Sequence, residues 1–213
     1  MAGCCDPRGY DEVFGDGFAR HVASRYRRRG LDRTARRLVD FLAEDDLSGA
    51  SVLEIGGGVG EIGVELLRRG AARATTLELS QAYDDPARRL AEEAGVADRV
   101  HRAVVDIATS PDDVEPADLV VLHRVVCCYP DHERLLGAAA DHCRRRLAFS
   151  HPPRNPVSRG VFAMENALFR LRGREFRAYV HRPQAMAEVV TRRGMRRELA
   201  HAGTIWQVQG LTR

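Results

Sequence analysis

A run of glycines directly after an apolar stretch is the feature of the sequence that points most clearly to chemistry. Residues 52–60 read Val-Leu-Glu-Ile-Gly-Gly-Gly-Val-Gly, so Glu54 precedes Gly56, Gly58 and Gly60. Glycine adopts positive φ without strain and lets a ligand approach the backbone closely. The helix predicted to follow offers its unpaired N–H groups to that ligand. The pattern predicts a loop that holds a nucleotide-containing cofactor.

Two cofactors fit such a loop, and Glu54 distinguishes between them. Residues 58–63 satisfy the dinucleotide pattern Gly-x-Gly-x-x-Gly, and Glu78 follows Gly58 by about 20 residues, where a ribose-binding acid is expected. A carboxylate at Glu54 would repel a pyrophosphate in a poorly solvated site. S-adenosylmethionine carries no phosphate, and its ammonium and sulfonium are both cationic. We therefore expect S-adenosylmethionine, with an NAD(P)-dependent Rossmann oxidoreductase as the alternative.

The order of further segments resembles the motifs of class I S-adenosylmethionine-dependent methyltransferases. Residues 52–60 look like motif I, and residues 76–80 are similar to motif II, whose acid takes both ribose hydroxyls. Residues 104–107 look like motif III, whose acid contacts the adenine amino group, and residues 118–123 resemble motif IV. The resemblance is strong over residues 45–150. It implies S-adenosylmethionine as the cofactor and these contacts to it: Glu54, Gly56, Gly58, Gly60, Glu78, Leu79, Asp106, Ile107 and His123.

His123 is the candidate catalytic base, because it follows the fourth predicted strand and imidazole titrates near neutral pH. Ligands of open parallel sheets bind beyond the carboxyl ends of the strands. The alternative is that His123 contacts the amino-acid end of the cofactor. Methyl transfer depends largely on alignment, so a base is needed only when the acceptor holds its proton at neutral pH. A non-catalytic S-adenosylmethionine-binding module is a further alternative.

A more distant similarity is to the magnesium-protoporphyrin O-methyltransferases. It is carried by Tyr26, which precedes Gly30 in the first helix, and by the segment 127–130, Cys-Cys-Tyr-Pro. The resemblance implies a catalytic role for Tyr26. Cys128 stands where that family has a histidine, and a thiol is a poor base unless its pKa is lowered. We expect Cys128 to line the pocket, and the replacement argues against a porphyrin acceptor.

The methyl acceptor is predicted to be a small, partly aromatic or apolar molecule with an oxygen or nitrogen nucleophile, or a sulfur one. Aromatic residues on the first helix (Tyr10, Phe14, Phe18 and Tyr26) predict a lid that receives a flat apolar body, or a staple that only fixes the helix to the sheet. Arg20, Arg124 and Arg154 could bind a carboxylate. The candidate substrate contacts are Tyr10, Phe14, Arg124, Cys128 and His151, although His151 could equally be an exposed turn residue.

The elements that must position these residues alternate between strand and helix, which predicts an α/β fold with a parallel sheet. We expect a Rossmann-like class I methyltransferase fold, with seven mostly parallel strands and a C-terminal antiparallel hairpin. Strands are predicted at 51–55, 74–79, 100–105, 117–122, 147–150, 197–201 and 204–211, and a helix is predicted over 10–29. Residues 1–44 are predicted to form a helical lid, and residues 45–213 the S-adenosylmethionine-binding part of a single domain.

Composition excludes several other classes of protein. The 213 residues contain 33 arginines, no lysine and 30 acids, so no long basic run indicates nucleic-acid binding. No apolar stretch predicts a membrane span or a signal peptide, and a cytoplasmic protein is expected. Cys4, Cys5, Cys127, Cys128 and Cys143 lack metal-site spacing, so we expect no metal and free thiols. The sequence does not indicate the oligomeric state.

Overall fold

The computed structural model describes residues 9–213, which build one seven-stranded sheet with helices on both faces. The strands are β1 Ser51–Ile55, β2 Arg73–Leu77, β3 Val100–Ala103, β4 Ala117–Leu122, β5 Cys143–His151, β6 Arg196–His201 and β7 Gln207–Thr212. The helices are α1 Tyr10–Val13, α2 Asp16–Arg29, α3 Arg33–Leu42, α4 Glu61–Arg68, α5 Asp84–Glu93, α6 His132–Asp141, α7 Pro156–Leu171 and α8 Pro183–Thr191.

The strand order is β3-β2-β1-β4-β5-β7-β6. The first five strands in this order pair in parallel, whereas β7 runs antiparallel to both β5 and β6. The predicted fold class is therefore confirmed: a Rossmann-like α/β sheet of seven mostly parallel strands that ends in an antiparallel hairpin. The order reverses beside β1, so the carboxyl ends of β1 and β4 open a crevice of the kind in which such sheets bind ligands.

Alternating side chains of the central strands divide the core between two helical layers. In β4, Leu119 and Val121 pack with α2, α3, α4 and α5, whereas Val120 and Leu122 pack with α6 and α8. All four side chains are fully buried, as expected for a parallel strand covered on both faces. This double burial holds the end of β4, and with it His123, in a fixed position.

Two local predictions were wrong. The predicted helix over 10–29 is broken, because Gly15 is extended and begins α2 as its N-cap, leaving α1 as a single turn. Strand β5 begins four residues before the predicted Leu147. The arginine-rich start of β5 predicts a solvated segment. Arg146 is nevertheless buried, and its guanidinium forms ion pairs with Glu44 and Asp45.

Helix α3 packs against β5 and β7 as part of the layer on the sheet. A boundary between lid and cofactor-binding part at residue 44 therefore stays a prediction. Within residues 9–213, no helix is both long and apolar enough to cross a membrane.

Candidate active site

A cavity of about 420 Å³ opens at the carboxyl ends of β1, β2 and β4. It brings together most of the residues that the sequence predicted for the site. Those that line it are Glu54, Gly56, Gly58, Glu78, Leu79, Asp106, Ile107, His123, Tyr10, Phe14, Arg124 and Cys128. Gly60, Tyr26 and His151 do not line it. In the described part of the chain, no three His, Cys, Asp or Glu side chains are placed to bind a metal ion.

The glycine loop needs glycine for conformation and for space. Gly56 and Gly58 have φ of 61° and 55°, in the left-handed region that favours glycine. A Cβ atom on Gly56 would lie 2.6 Å from a methyl group of Val125, in the segment after β4. Gly60, with φ of 77°, forms the N-cap of α4. The loop therefore brings its backbone against the cavity, while Gly60 sets the start of the helix.

Glu54 lies beneath this loop and is buried. Its carboxylate accepts a hydrogen bond of 2.9 Å from the backbone N–H of Gly63. Burial, together with the nearby Glu61 carboxylate, raises the pKa of Glu54 to about 8. A buried carboxylate whose charge is poorly compensated attracts a cationic ligand, because a positive group nearby would stabilise the ionised form.

Glu78 and Asp106 hold the positions that the resemblance gives to ribose and adenine contacts. Glu78 accepts hydrogen bonds from the backbone N–H groups of Gly58 at 2.8 Å and Ser80 at 3.0 Å. Asp106 accepts one from the backbone N–H of Ala108 at 3.1 Å and one from the Tyr129 hydroxyl at 2.9 Å. These donors orient both carboxylates, and each oxygen has lone-pair capacity for a further donor.

His123 is held from both sides by polar groups. Its Nδ1 lies 3.0 Å from the Ser150 hydroxyl, and its Nε2 lies 3.9 Å from Oδ2 of Asp32. Burial would raise the pKa of Asp32, but interactions with His123, the Ala35 N–H and Arg124 outweigh burial and hold it well below its usual range. Asp32 is thus a carboxylate anion that faces the imidazole.

Arg124 has the only positive φ among the non-glycine residues described, 61°. Backbone strain of this kind is often kept at functional sites. Its guanidinium already pairs with Asp32 at 2.6 Å and lies 4.9 Å from the centre of the Trp206 ring. An acceptor carboxylate would therefore have to share Arg124 with Asp32. Arg25 also approaches Asp32, at 3.4 Å, and lines the cavity.

The structure does not bring Tyr26 or His151 to the cavity. The hydroxyl of Tyr26 donates a hydrogen bond to Glu65 on α4 and accepts one from Arg68. His151 is buried between the backbone oxygen of Pro152 and the side chain of Gln209. Both contacts are structural. The expectation of an exposed turn at His151 is wrong, because β5 extends through it and pairs with β7.

Arg20 and Arg154 also lie apart from the cavity. Arg20 lines a separate polar cleft between α2 and α5, and Arg154 is exposed before α7. Of the carboxylate-binding candidates, only Arg124 remains beside the cavity.

Cys128 lines the cavity as a neutral thiol. A hydrogen bond with Cys127 and burial raise the pKa of Cys128 well above its usual range. The thiols of Cys127, Cys128 and Cys143 are all free, whereas Cys4 and Cys5 lie outside the described residues. A protonated thiol contributes shape to the wall and no base.

The N-terminal aromatic residues form a wall of the cavity. The hydroxyl of Tyr10 donates a hydrogen bond of 3.1 Å to the backbone oxygen of Cys128. Phe14 packs edge-to-face on Phe176, with ring centres 5.3 Å apart, and on Phe18 at 5.7 Å. The aromatic side chains thus fix α1 across the site and also present ring surface to it.

Among the residues of the site that sequence reasoning missed are Asp32, Glu61, Tyr83 and Tyr129. Asp32 was readable as a helix cap, since its Oδ1 accepts from the N–H groups of Thr34 and Ala35 at 2.9 Å. Its contact with His123 joins residues 91 positions apart and leaves no local signal. Glu61 was readable as the first residue after the glycines, and burial raises its pKa too.

Comparison with known proteins agrees with this geometry. A family model described as a methyltransferase domain matches residues 25–203. The fold resembles that of magnesium protoporphyrin IX methyltransferase from Synechocystis with bound SAH: the TM-score is 0.71 at 19% identity, covering 95% of this chain and 99% of that one. A structure of that enzyme with bound SAM also matches, with a TM-score of 0.66.

Two other solved structures have the same fold. An O-methyltransferase family 2 protein from Planctomyces limnophilus, in complex with apigenin, has a TM-score of 0.67 at 20% identity over 92% of this chain and 61% of that one. A TehB-like SAM-dependent methyltransferase from Corynebacterium glutamicum has a TM-score of 0.63 at 19% identity, over 92% and 98%. No curated protein matches the sequence. The chain belongs to the methyltransferase-domain family and is an S-adenosylmethionine-dependent methyltransferase.

Proposed function

We propose that the enzyme methylates an oxygen or nitrogen atom of a small, largely apolar molecule, with His123 as the base. The observation that carries this proposal is one cavity that joins the cofactor-motif acids to an imidazole facing a carboxylate. The wall of the same cavity contains Phe14, Phe18 and Val22, which suit an apolar acceptor. Because His123 lines an open cavity, the site favours an enzyme over a binding module.

The cofactor contacts follow from the acids that line the cavity. In this proposal Glu54 compensates the positive charge of the cofactor, Glu78 accepts hydrogen bonds from the ribose hydroxyls and Asp106 accepts one from the adenine amino group. Leu79 and Ile107 supply apolar wall near them. When bound, S-adenosylmethionine supplies an electrophilic methyl group on a sulfonium.

His123 removes the acceptor proton in this proposal. With Nδ1–H donated to the Ser150 hydroxyl, the Nε2 lone pair is free to take that proton. The Asp32 carboxylate, 3.9 Å away, then stabilises the imidazolium that forms. The deprotonated acceptor atom would then be the nucleophile for the methyl group that S-adenosylmethionine would supply.

Small molecules are the proposed partners, with no nucleic acid, and the cytoplasm is the proposed compartment. Because Arg124 pairs with Asp32, an acceptor carboxylate is not required for binding.

A transfer assay with radiolabelled methyl groups tests this function. Small phenols, amines, carboxylic acids, thiols and porphyrins are offered, with protein and RNA as macromolecular acceptors. We expect label on a phenol or amine, and loss of at least tenfold in turnover for His123→Ala. His101→Ala, an exposed histidine on β3, is the matched control and should retain turnover. Label only on protein or RNA would refute a small-molecule acceptor, and full turnover by His123→Ala would refute the base.

A further inference from the structure

Helix α7 carries an apolar stripe that no described residue covers. The stripe consists of five side chains with exposed fractions from 44% to 84%: Val157, Val161, Met164, Leu168 and Leu171. They recur every three or four residues, which places them on one side of the helix. Isolated exposed apolar residues are ordinary, but a continuous row of this kind marks an interaction surface.

The opposite side of α7 holds the helix to the protein through few contacts. Phe169 is buried against Phe176, with ring centres 5.4 Å apart. The side-chain amide of Asn166 donates to the backbone oxygen of Ala178 and accepts from its N–H, at 2.7 and 2.8 Å. The stripe therefore faces outward because the other side of the helix is the one that packs.

Charge around the stripe is mainly positive. Residues 154–174 contain five arginines and a single acid, Glu165; the arginines are Arg154, Arg159, Arg170, Arg172 and Arg174. Within residues 9–213, none of these five guanidinium groups takes part in an ion pair. An apolar helix face with arginines around it is typical of helices that lie in the interface of an anionic bilayer.

A second copy of the chain fits this surface less well. From Val157 to Leu171 the stripe is 14 helical steps long, so it measures about 21 Å by about 10 Å, or about 200 Å² on each protomer. A stable protein–protein interface buries about 800 Å² per partner. The unpaired arginines would also repel those of a second copy. An anionic lipid surface needs no minimum protein area, and each arginine near it strengthens the attraction.

We propose that α7 docks the enzyme on the surface of an anionic lipid bilayer, with the stripe among the acyl chains and the arginines at the headgroups. Phe169 of α7 contacts Phe176, which in turn contacts Phe14 in the cavity wall. Docking through α7 thus holds an aromatic wall of the active site next to the lipid. The corollary, that the acceptor is an apolar molecule taken from the bilayer, rests on the proposed function.

Vesicle flotation with the full chain tests the docking. The probes are vesicles of phosphatidylcholine alone and of phosphatidylcholine with about one third phosphatidylglycerol. We expect the protein to bind the anionic vesicles at least tenfold more strongly, and raised salt to weaken that binding. Replacement of Met164 and Leu168 together by Glu should abolish binding. Met164→Glu alone should weaken binding at least fivefold, whereas Ala163→Glu, which adds the same single charge to α7 outside the stripe, should retain at least half of the binding.

Each other outcome overturns the proposal. Equal flotation of the wild type and the double variant would show that the stripe does not contact the vesicle. Absence of flotation with anionic vesicles would refute docking on a lipid surface. A dimer by light scattering that the double variant dissociates assigns the stripe to a second copy. Binding of S-adenosylmethionine is measured in parallel, because its loss in the wild type would refute the proposed function and leave vesicle docking intact.

Discussion

Binding of S-adenosylmethionine is expected to release a proton from Glu54. In the empty site, burial raises the pKa of this carboxyl to about 8. At pH 7 it is therefore about 0.9 protonated. If a cationic ligand lowers the pKa by several units, binding at pH 7 releases about 0.9 proton. Calorimetry in buffers of different ionisation enthalpy measures that number directly.

The same linkage sets the pH dependence of affinity. Below the pKa that Glu54 has in the empty site, this carboxyl must lose a proton before the cofactor binds. The affinity therefore weakens, and the Kd rises, as pH falls. With a pKa of about 8, the Kd at pH 7 should be about tenfold larger than at pH 9, and the Kd at pH 6 about tenfold larger again. Each factor of ten corresponds to about 1.4 kcal/mol.

Glu54→Gln isolates the responsible group. The amide oxygen can still accept from the Gly63 N–H, but the side chain no longer titrates. Proton release should fall close to zero and the pH dependence should flatten, whereas Glu133→Gln, an exposed acid on α6, should behave as wild type. Undiminished proton release in Glu54→Gln, or a wild-type Kd that is constant between pH 6 and 8, would refute the reasoning.

Three further predictions follow from contacts in the structure. Asp32→Asn keeps the helix cap but removes the charge beside the base. Turnover should therefore fall about tenfold, which corresponds to about 1.4 kcal/mol, and cofactor affinity should not change. Unchanged turnover would contradict a role for the charge. Tyr26→Phe loses a hydrogen bond on α4 and should lower the unfolding free energy by about 1 kcal/mol with turnover kept; loss of turnover at full stability would restore a catalytic tyrosine. Gly56→Ala should abolish cofactor binding by calorimetry, whereas Gly95→Ala, with similar φ but open space, should retain it.

Much of the fold could be predicted because its signals are local. The apolar run of β4 reports on neighbours in the chain, and β1 and β4 have the predicted bounds. The periodicity of apolar residues and the turn residues between elements therefore suffice to predict the alternation of strands and helices. The error at the start of β5 has the opposite cause. Arg146 reads as polar, yet it is buried because acids from the segment after α3 pair with it.

The candidate site divides in the same way. Glu54 lies near the carboxyl end of β1, and Glu78 and Asp106 follow β2 and β3. The direction of these strands is readable, and parallel strands bring their carboxyl ends to one edge. Tyr26 and His151 depend instead on which way a side chain turns, and that depends on partners from α4 and β7. Asp32 reaches His123 because α3 packs on β5 and β7, and β5 is the neighbour of β4 in the sheet.

The sequence by itself determined the cofactor class, because one strand, one glycine loop and three acids carry that chemistry within short segments. Tertiary structure alone decided the neighbour of the base and which face of α7 stays uncovered. Asp32 faces His123, and α7 turns Met164 to the outside. The physical reason is that a local pattern constrains backbone geometry and face, whereas a contact between distant segments depends on the packing of whole elements.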